Sequence, residues 1–143
     1  MGKTHIMRKY TIHTSDIKII IDAEELAYER YKKTIDEFRQ KFSDCGFEIK
    51  LIECWTSGTG KHPMAVRPSS IHNYTYWICY EVLRNDRPVI YDDEGSILSR
   101  SYVVLSISDR KCINQHEIHI YDEMDDVKEE LEQDFLKLKS LFS

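Results

Sequence analysis

Polar and apolar residues mix through residues 4–13, with Ile6, Tyr10 and Ile12 as β-formers, and this predicts a strand. Thr14-Ser15-Asp16 is turn chemistry, and the apolar run Ile17 to Ile21 predicts the second arm of a hairpin. Asp22 then predicts the start of a helix. Its carboxylate can accept from orphan backbone amides, and Glu25 follows at the spacing of a capping box. Tyr28, Tyr31, Ile35, Phe38 and Phe42 recur at steps of three and four and make one apolar stripe. Glu29/Lys33 and Glu37/Lys41 would pair on the wet side, and Gly46 would cap the C-terminus.

Phe47, Ile49 and Leu51 alternate with Glu48 and Lys50, which predicts a half-buried strand ending near Trp55. Residues 56–70 read as loop, and residues 73–84, apolar on both faces, as a central strand. Asn85-Asp86-Arg87-Pro88 predicts a turn, Val89 to Tyr91 a short strand and Asp92 to Ser96 another turn. Residues 97–107 predict a strand with Val103, Leu105 and Ile107 on one face; Ser108 to Lys111 turn, and residues 112–121 form a last strand. Met124, Val127, Leu131, Phe135, Leu138 and Phe142 keep a helical rhythm through residues 122–142, with acids first and Lys137 and Lys139 last. The expectation is an α+β domain: an antiparallel β-meander of five to six strands packed by two amphipathic helices. The order strand, helix, strands, helix looks like a helix-grip arrangement, an architecture-level analogy that carries no function.

The length of 143 residues suits a single domain over 1–143, since domains commonly run to roughly 100–150 residues. A chain 41% hydrophobic and 31% charged is not expected to be disordered. No run approaches the ~20 apolar residues of a bilayer span, so no membrane partner is expected. A net charge of -5 argues against direct binding of duplex nucleic acid. The N-terminal stretch is basic but polar residues interrupt it, so no secretory signal is read. Cys45, Cys54, Cys79 and Cys112 form no C-x-x-C and match no zinc spacing. They read as reduced structural thiols of a cytoplasmic protein, with Cys79 buried.

Residues 56–70 are the segment that stands out. Fifteen residues is a length at which loops are usually functional or disordered. From Cys54 through Tyr80 there is no Asp or Glu, although the chain carries 25. Lys61, Arg67, His62 and His72 lie in that window, with Trp55 before it and Tyr76 after. Gly58 and Gly60 allow backbone amides to turn toward an anion. A phosphate-containing small molecule or nucleotide would fit: Lys61 and Arg67 on the phosphates, Trp55 or Tyr76 stacking on a base. The bland alternative is a solvated loop. Gly58-Thr59-Gly60-Lys61 is not a Walker A motif, because Trp55 and His62 stand where Gly and Ser or Thr are required.

Three other patterns invite chemistry. His13-Thr14-Ser15 and His119-Ile120-Tyr121 each end a predicted strand, as the paired histidines of a phosphoesterase would, but Tyr121 breaks the second copy. Glu48-Ile49-Lys50 has the spacing of a nuclease metal strand and reads better as a wet strand face, since Asp44 is poorly placed to complete it. Asp92-Asp93-Glu94 could hold a hard cation and reads better as a turn ending at Gly95. The C-terminal segment is dense in acid: nine carboxylates fall between Glu117 and Asp134, against Lys128 alone. Asp125, Asp126, Glu129 and Glu130 would present a charged face to a basic partner, or simply a solvated one.

No catalytic residue, metal or cofactor is called for by these patterns. The expected function is that of a small acidic binding protein acting by occlusion or sequestration, in the manner of immunity proteins and phage-encoded inhibitors. A binder of a phosphate-containing small molecule and a two-histidine phosphoesterase are the alternatives. An acidic helix and a basic loop in one chain would also favour a homo-oligomer.

Overall fold

The computed structural model of the chain describes residues 8–57, 74–90, 92, 94–110 and 115–142. Strand β1, Arg8–Thr14, leads directly into helix α1, Ile17–Asp44. The expected hairpin arm over Ile17 to Ile21 is therefore helical, and Asp22 lies inside the helix. The turn residues act as the cap instead. Asp16 accepts from the Lys18 amide at 3.0 Å, and Thr14 Oγ1 accepts from the Asp16 amide at 3.0 Å. Ile20 is buried while Ile17 and Ile19 stay exposed, a pattern set by helical rather than strand geometry. At the other end Gly46, at φ +87°, lets the Phe47 amide reach the Phe42 carbonyl and its own amide reach Ser43. This double closure satisfies carbonyls that the helix end would orphan.

The remaining elements are β2 (Glu48–Ser57), β3 (Tyr74–Arg84), β4 (Arg87–Pro88), β5 (Ser99–Arg110), β6 (Gln115–Asp122) and helix α2 (Met124–Leu141). They form an α+β structure with one six-strand antiparallel sheet, ordered β1-β6-β5-β3-β2, with β4 on the end of β3. Asn85 and Asp86, both at positive φ, close the β3–β4 hairpin in two residues. Pairing consequently comes at Arg87–Pro88, before the expected strand at Val89 to Tyr91, and resumes as a single bridge between Ile90 and Ile97. Asp92 accepts from the amides of Glu94 and Ser96, the turn reading of that acidic stretch. Ser108 to Arg110 do not turn. They continue β5 against Glu117, His116 and Gln115. A register shift between Tyr76 and Trp77 puts Val104 and Leu105 both in the core and leaves Val103 half-buried, which breaks the expected alternation.

Side chains from both helices reach the same face of the sheet. Tyr31, Ile35 and Phe42 of α1 are buried there, as are Val127, Leu131, Phe135 and Leu138 of α2. Polar contacts fix the fit. Tyr74 donates to Glu24 of α1, which also accepts from Trp55 Nε1 at 2.7 Å. Tyr76 donates to Glu53 at 2.5 Å, Tyr80 to Asp134 at 2.6 Å, and Tyr102 to Glu130. Arg100 grips Asp134 with two nitrogens, at 2.7 and 3.2 Å. Burial first, and the facing carboxylates second, hold the phenols of Tyr76 and Tyr80 far above their ordinary range, so they remain donors. The expected Glu37/Lys41 pair is replaced by a link between the helices, with Lys41 on Glu132 at 2.9 Å.

Cys54 and Cys79 stand on the opposite face, their sulfurs 3.7 Å apart, and both are half-buried rather than enclosed. Beside them Trp77 Nε1 donates to Thr56 at 3.1 Å. Burial and the neighbouring Cys79 push the Cys54 thiol up to about 12. Cys45 is exposed and free; Cys112 lies outside the described residues.

Two outcomes follow for the whole fold. Asp134→Ala strands Arg100 and the Tyr80 hydroxyl and should cost about 3 kcal/mol in urea unfolding, whereas Tyr80→Phe should cost about 1 kcal/mol. Iodoacetamide near neutral pH should modify Cys45 well before Cys54, with Cys54 reacting at a comparable rate only in denaturant, as read by peptide mass mapping.

Candidate functional site

Of the residues expected to hold a phosphate-bearing ligand, Lys61, His62, Arg67 and His72 lie outside the described residues. Trp55 and Tyr76 are described, and both are core residues. Their rings stack on each other at 5.1 Å, and their polar atoms are occupied by Glu24 and Glu53.

The two strand histidines come to one face. On the β1–β6 ladder His13 sits opposite Glu117 and Thr11 opposite His119, so both imidazoles belong to the face turned away from the helices. Thr11 Oγ1 is 3.2 Å from His119 Nδ1, and His119 Nε2 is 3.4 Å from Glu117. Ser106 of β5 faces His119 from the other side. The strand pair Glu48 and Lys50 is exposed on β2, while Asp44 accepts from Gln40 at 2.7 Å on α1.

The acids of α2 divide into two groups. Glu130 and Asp134 turn inward to Tyr102, Tyr80 and Arg100. Glu129 is half-buried, with Gln133 3.4 Å away. Asp125 and Asp126 stay at the helix start, where they line a recess of about 350 Å³ with Asp122, Glu123, Met124, Lys128 and Arg30 of α1. Four carboxylates thus face two cations. Asp122 is held on both sides, by the Met124 amide at 3.1 Å and Arg30 at 3.5 Å. Glu123 occupies the cap position yet makes no capping bond through its side chain. Its carboxyl is raised from the usual range by burial, then by Asp126 and Glu130. The helix dipole favours acids at this end, but the crowding exceeds what a cap requires.

A second concavity of about 220 Å³ adjoins the first across Arg30 and Asp122. It runs between α1 and the β1–β6 edge, with Tyr10, Ala23, Leu26, Ala27 and Ile120 in its wall. Tyr31 lines it as well, with its side chain buried.

Asp125 and Asp126 were expected as a charged face, and Glu123 was counted among the dense C-terminal acids without being assigned to that face, but Arg30 was not foreseen. Arg30 joins the recess only because α1 crosses the start of α2. The run Asp122-Glu123-Met124-Asp125-Asp126 was the sole hint. Among the described residues no cluster of three metal-ligating side chains occurs, and no helix is long and apolar enough to cross a membrane.

Because the native fold raises the Glu123 carboxyl above its unfolded value, the native state binds that proton more tightly than the unfolded chain. Ionised Glu123 therefore opposes folding at neutral pH, and the penalty fades as pH falls through the raised value. Glu123→Gln should raise the melting temperature slightly at pH 7 and give no gain near pH 4, where carboxyls of about 4.3 protonate in both states. Compared with known protein families, with curated proteins and with solved structures, the chain matches none.

Proposed function

We propose that this chain is a small non-catalytic binding protein that acts by occlusion, its acid-lined recess taking a Lys or Arg side chain from a basic protein partner. The observation that carries the reading is the crowding of Asp122, Glu123, Asp125 and Asp126 around one open recess. Like charges held together stabilise nothing by themselves, and an incoming cation relieves them. The Glu123 carboxyl is raised mainly by burial, with Asp126 of the recess adding to it. Asp125 and Asp126 remain in the proposed surface. Glu130 supports the helix from within, and Glu129 is half-buried next to Gln133, outside the recess lining.

The architecture that presents the recess is read as helix-grip-like. Its support is the strand order, which sets the first strand beside the last, together with the buried stripes of two amphipathic helices. The phosphate-binding alternative loses its stacking platform, since Trp55 and Tyr76 stack on each other inside the core. The phosphoesterase alternative keeps one favourable observation, the shared face of His13 and His119. Hydrolysis of bis(p-nitrophenyl) phosphate that is lost in His13→Ala would turn the reading toward it.

The direct test titrates the isotopically labelled chain with an oligo-arginine peptide. Amide shifts should centre on Arg30 and residues 122–128, weaken as salt is raised, and fall at least about ten-fold in affinity in Asp125→Lys/Asp126→Lys. An exposed control, Glu94→Lys, should bind as the parent does. Shifts spread over the surface, or equal affinity in the double reversal, would defeat the reading.

A further inference from the structure

The sheet has two edges, and they differ. β2 forms one and carries exposed Glu48 and Lys50, charges that discourage another strand from pairing. β1 forms the other. It pairs with β6 through seven consecutive residues without a bulge, and among the described residues no strand covers its outer side. From Tyr10 through Thr14 it holds no Asp, Glu, Lys, Arg, Pro or Gly. Among the described residues the usual protections of an edge do not occur along this stretch.

The apolar surface beside that edge is exposed as well. Tyr10 is 55% exposed, Ile12 38%, Ile19 44% and Leu26 66%. Ile19, Ala23 and Leu26 recur at four and three along α1, so they share a helix face, and Ala23 and Leu26 line one cleft with Tyr10.

We propose that β1 pairs with β1 of a second copy of this chain, antiparallel about a two-fold axis at Thr11, extending the sheet across both subunits. This goes beyond the recess and does not rest on it. Centring on Thr11 sets Tyr10 opposite Ile12 of the second copy, twice, on the face that carries the cleft. An aromatic against a β-branched residue is a favourable cross-strand pair. The same register sets Arg8 opposite Thr14 and Lys9 opposite His13, so no two lysines or arginines meet, and Glu117 stands one strand beyond His13. An axis at Ile12 would set Tyr10 against Thr14 and lose both mixed pairs. Such an interface is isologous and closes as a dimer.

Sedimentation of the full chain should show a dimer that dissociates on dilution. Ile12→Lys, which places a charge in the middle of the edge, should give a monomer with an unchanged circular dichroism spectrum. Leu26→Lys, at a site outside the core, should weaken the dimer without loss of fold. Thr11→Cys should link two chains by a disulfide under mild oxidation (two thiols lose two protons and two electrons to oxidised glutathione), and Lys9→Cys should not. Asp125→Lys/Asp126→Lys should leave the dimer intact, which separates this proposal from the recess. A monomeric parent, a dimer indifferent to both Ile12→Lys and Leu26→Lys, or equal linking through residues 9 and 11 would overturn it.

Discussion

Four carboxylates are drawn into the interface between sheet and helices, and each must meet a donor there. Glu24, Glu53, Glu130 and Asp134 accept from Tyr74, Tyr76, Tyr102 and Tyr80, with Trp55 and Arg100 adding to the first and last. An ionised group in such surroundings is costly unless it is paired and hydrogen-bonded. The requirement therefore acts as a registration device. α1 can slide along the sheet only by withdrawing Glu24 from two donors, and α2 only by freeing Arg100. Apolar stripes alone would tolerate a shift of one turn, because Ile, Leu and Phe repack with modest loss. Buried polar pairs do not tolerate it, since a displaced carboxylate leaves two groups unsatisfied at once. Tyr76, Tyr80 and Tyr102 suit this role because burial keeps their phenols protonated.

The same requirement explains why the acidity of α2 misleads when read along the chain. Asp126/Glu130 and Glu130/Asp134 look like destabilising pairs at helical spacing. In the fold, Glu130 and Asp134 are answered by side chains at least 28 positions away in sequence, and Glu132 by Lys41 at 91. Helical periodicity shows which residues share a face but not what that face meets. Once the inward acids are subtracted, the surplus negative charge concentrates at the first turn, which is where the recess lies.

Local rules served well wherever local chemistry decides the outcome. The stripe from Tyr31 to Phe42, the Gly46 cap and the paired strands β2 and β3 were all legible from spacing. The misreading of Ile17 to Ile21 has a definite cause. Turn residues and cap residues are the same chemical types, so Thr14-Ser15-Asp16 can close a hairpin or start a helix, and tertiary context chose the helix. The bulge opposite Tyr76 and Trp77 leaves no periodic trace, which is why Val103 was placed with Leu105. Trp55 and Tyr76 looked available for stacking because they flank a basic loop. Alternation on β2 and β3 nevertheless turns both toward the helices, where they stack on each other.

The acid recess and its neighbour, both among the described residues, fit the proposed surface recognition better than an enclosed ligand. Drug-sized ligands and cofactors usually occupy pockets of ~300–1,000 Å³ that bury most of their surface. The acid recess, at about 350 Å³, is at the bottom of that range and open, and its neighbour is smaller still at about 220 Å³. A single long side chain or the flank of a strand is a better match to such spaces than a nucleotide. Recognition of that kind needs little motion from the scaffold, and the carboxylate–tyrosine contacts supply the rigidity that holds both surfaces in place. What specificity then demands is separation between surfaces. Exposed charge is present on β2 and in the recess, and the middle of β1 carries none, so under the two proposals the recess would select by charge and β1 by main-chain hydrogen bonds and apolar side chains.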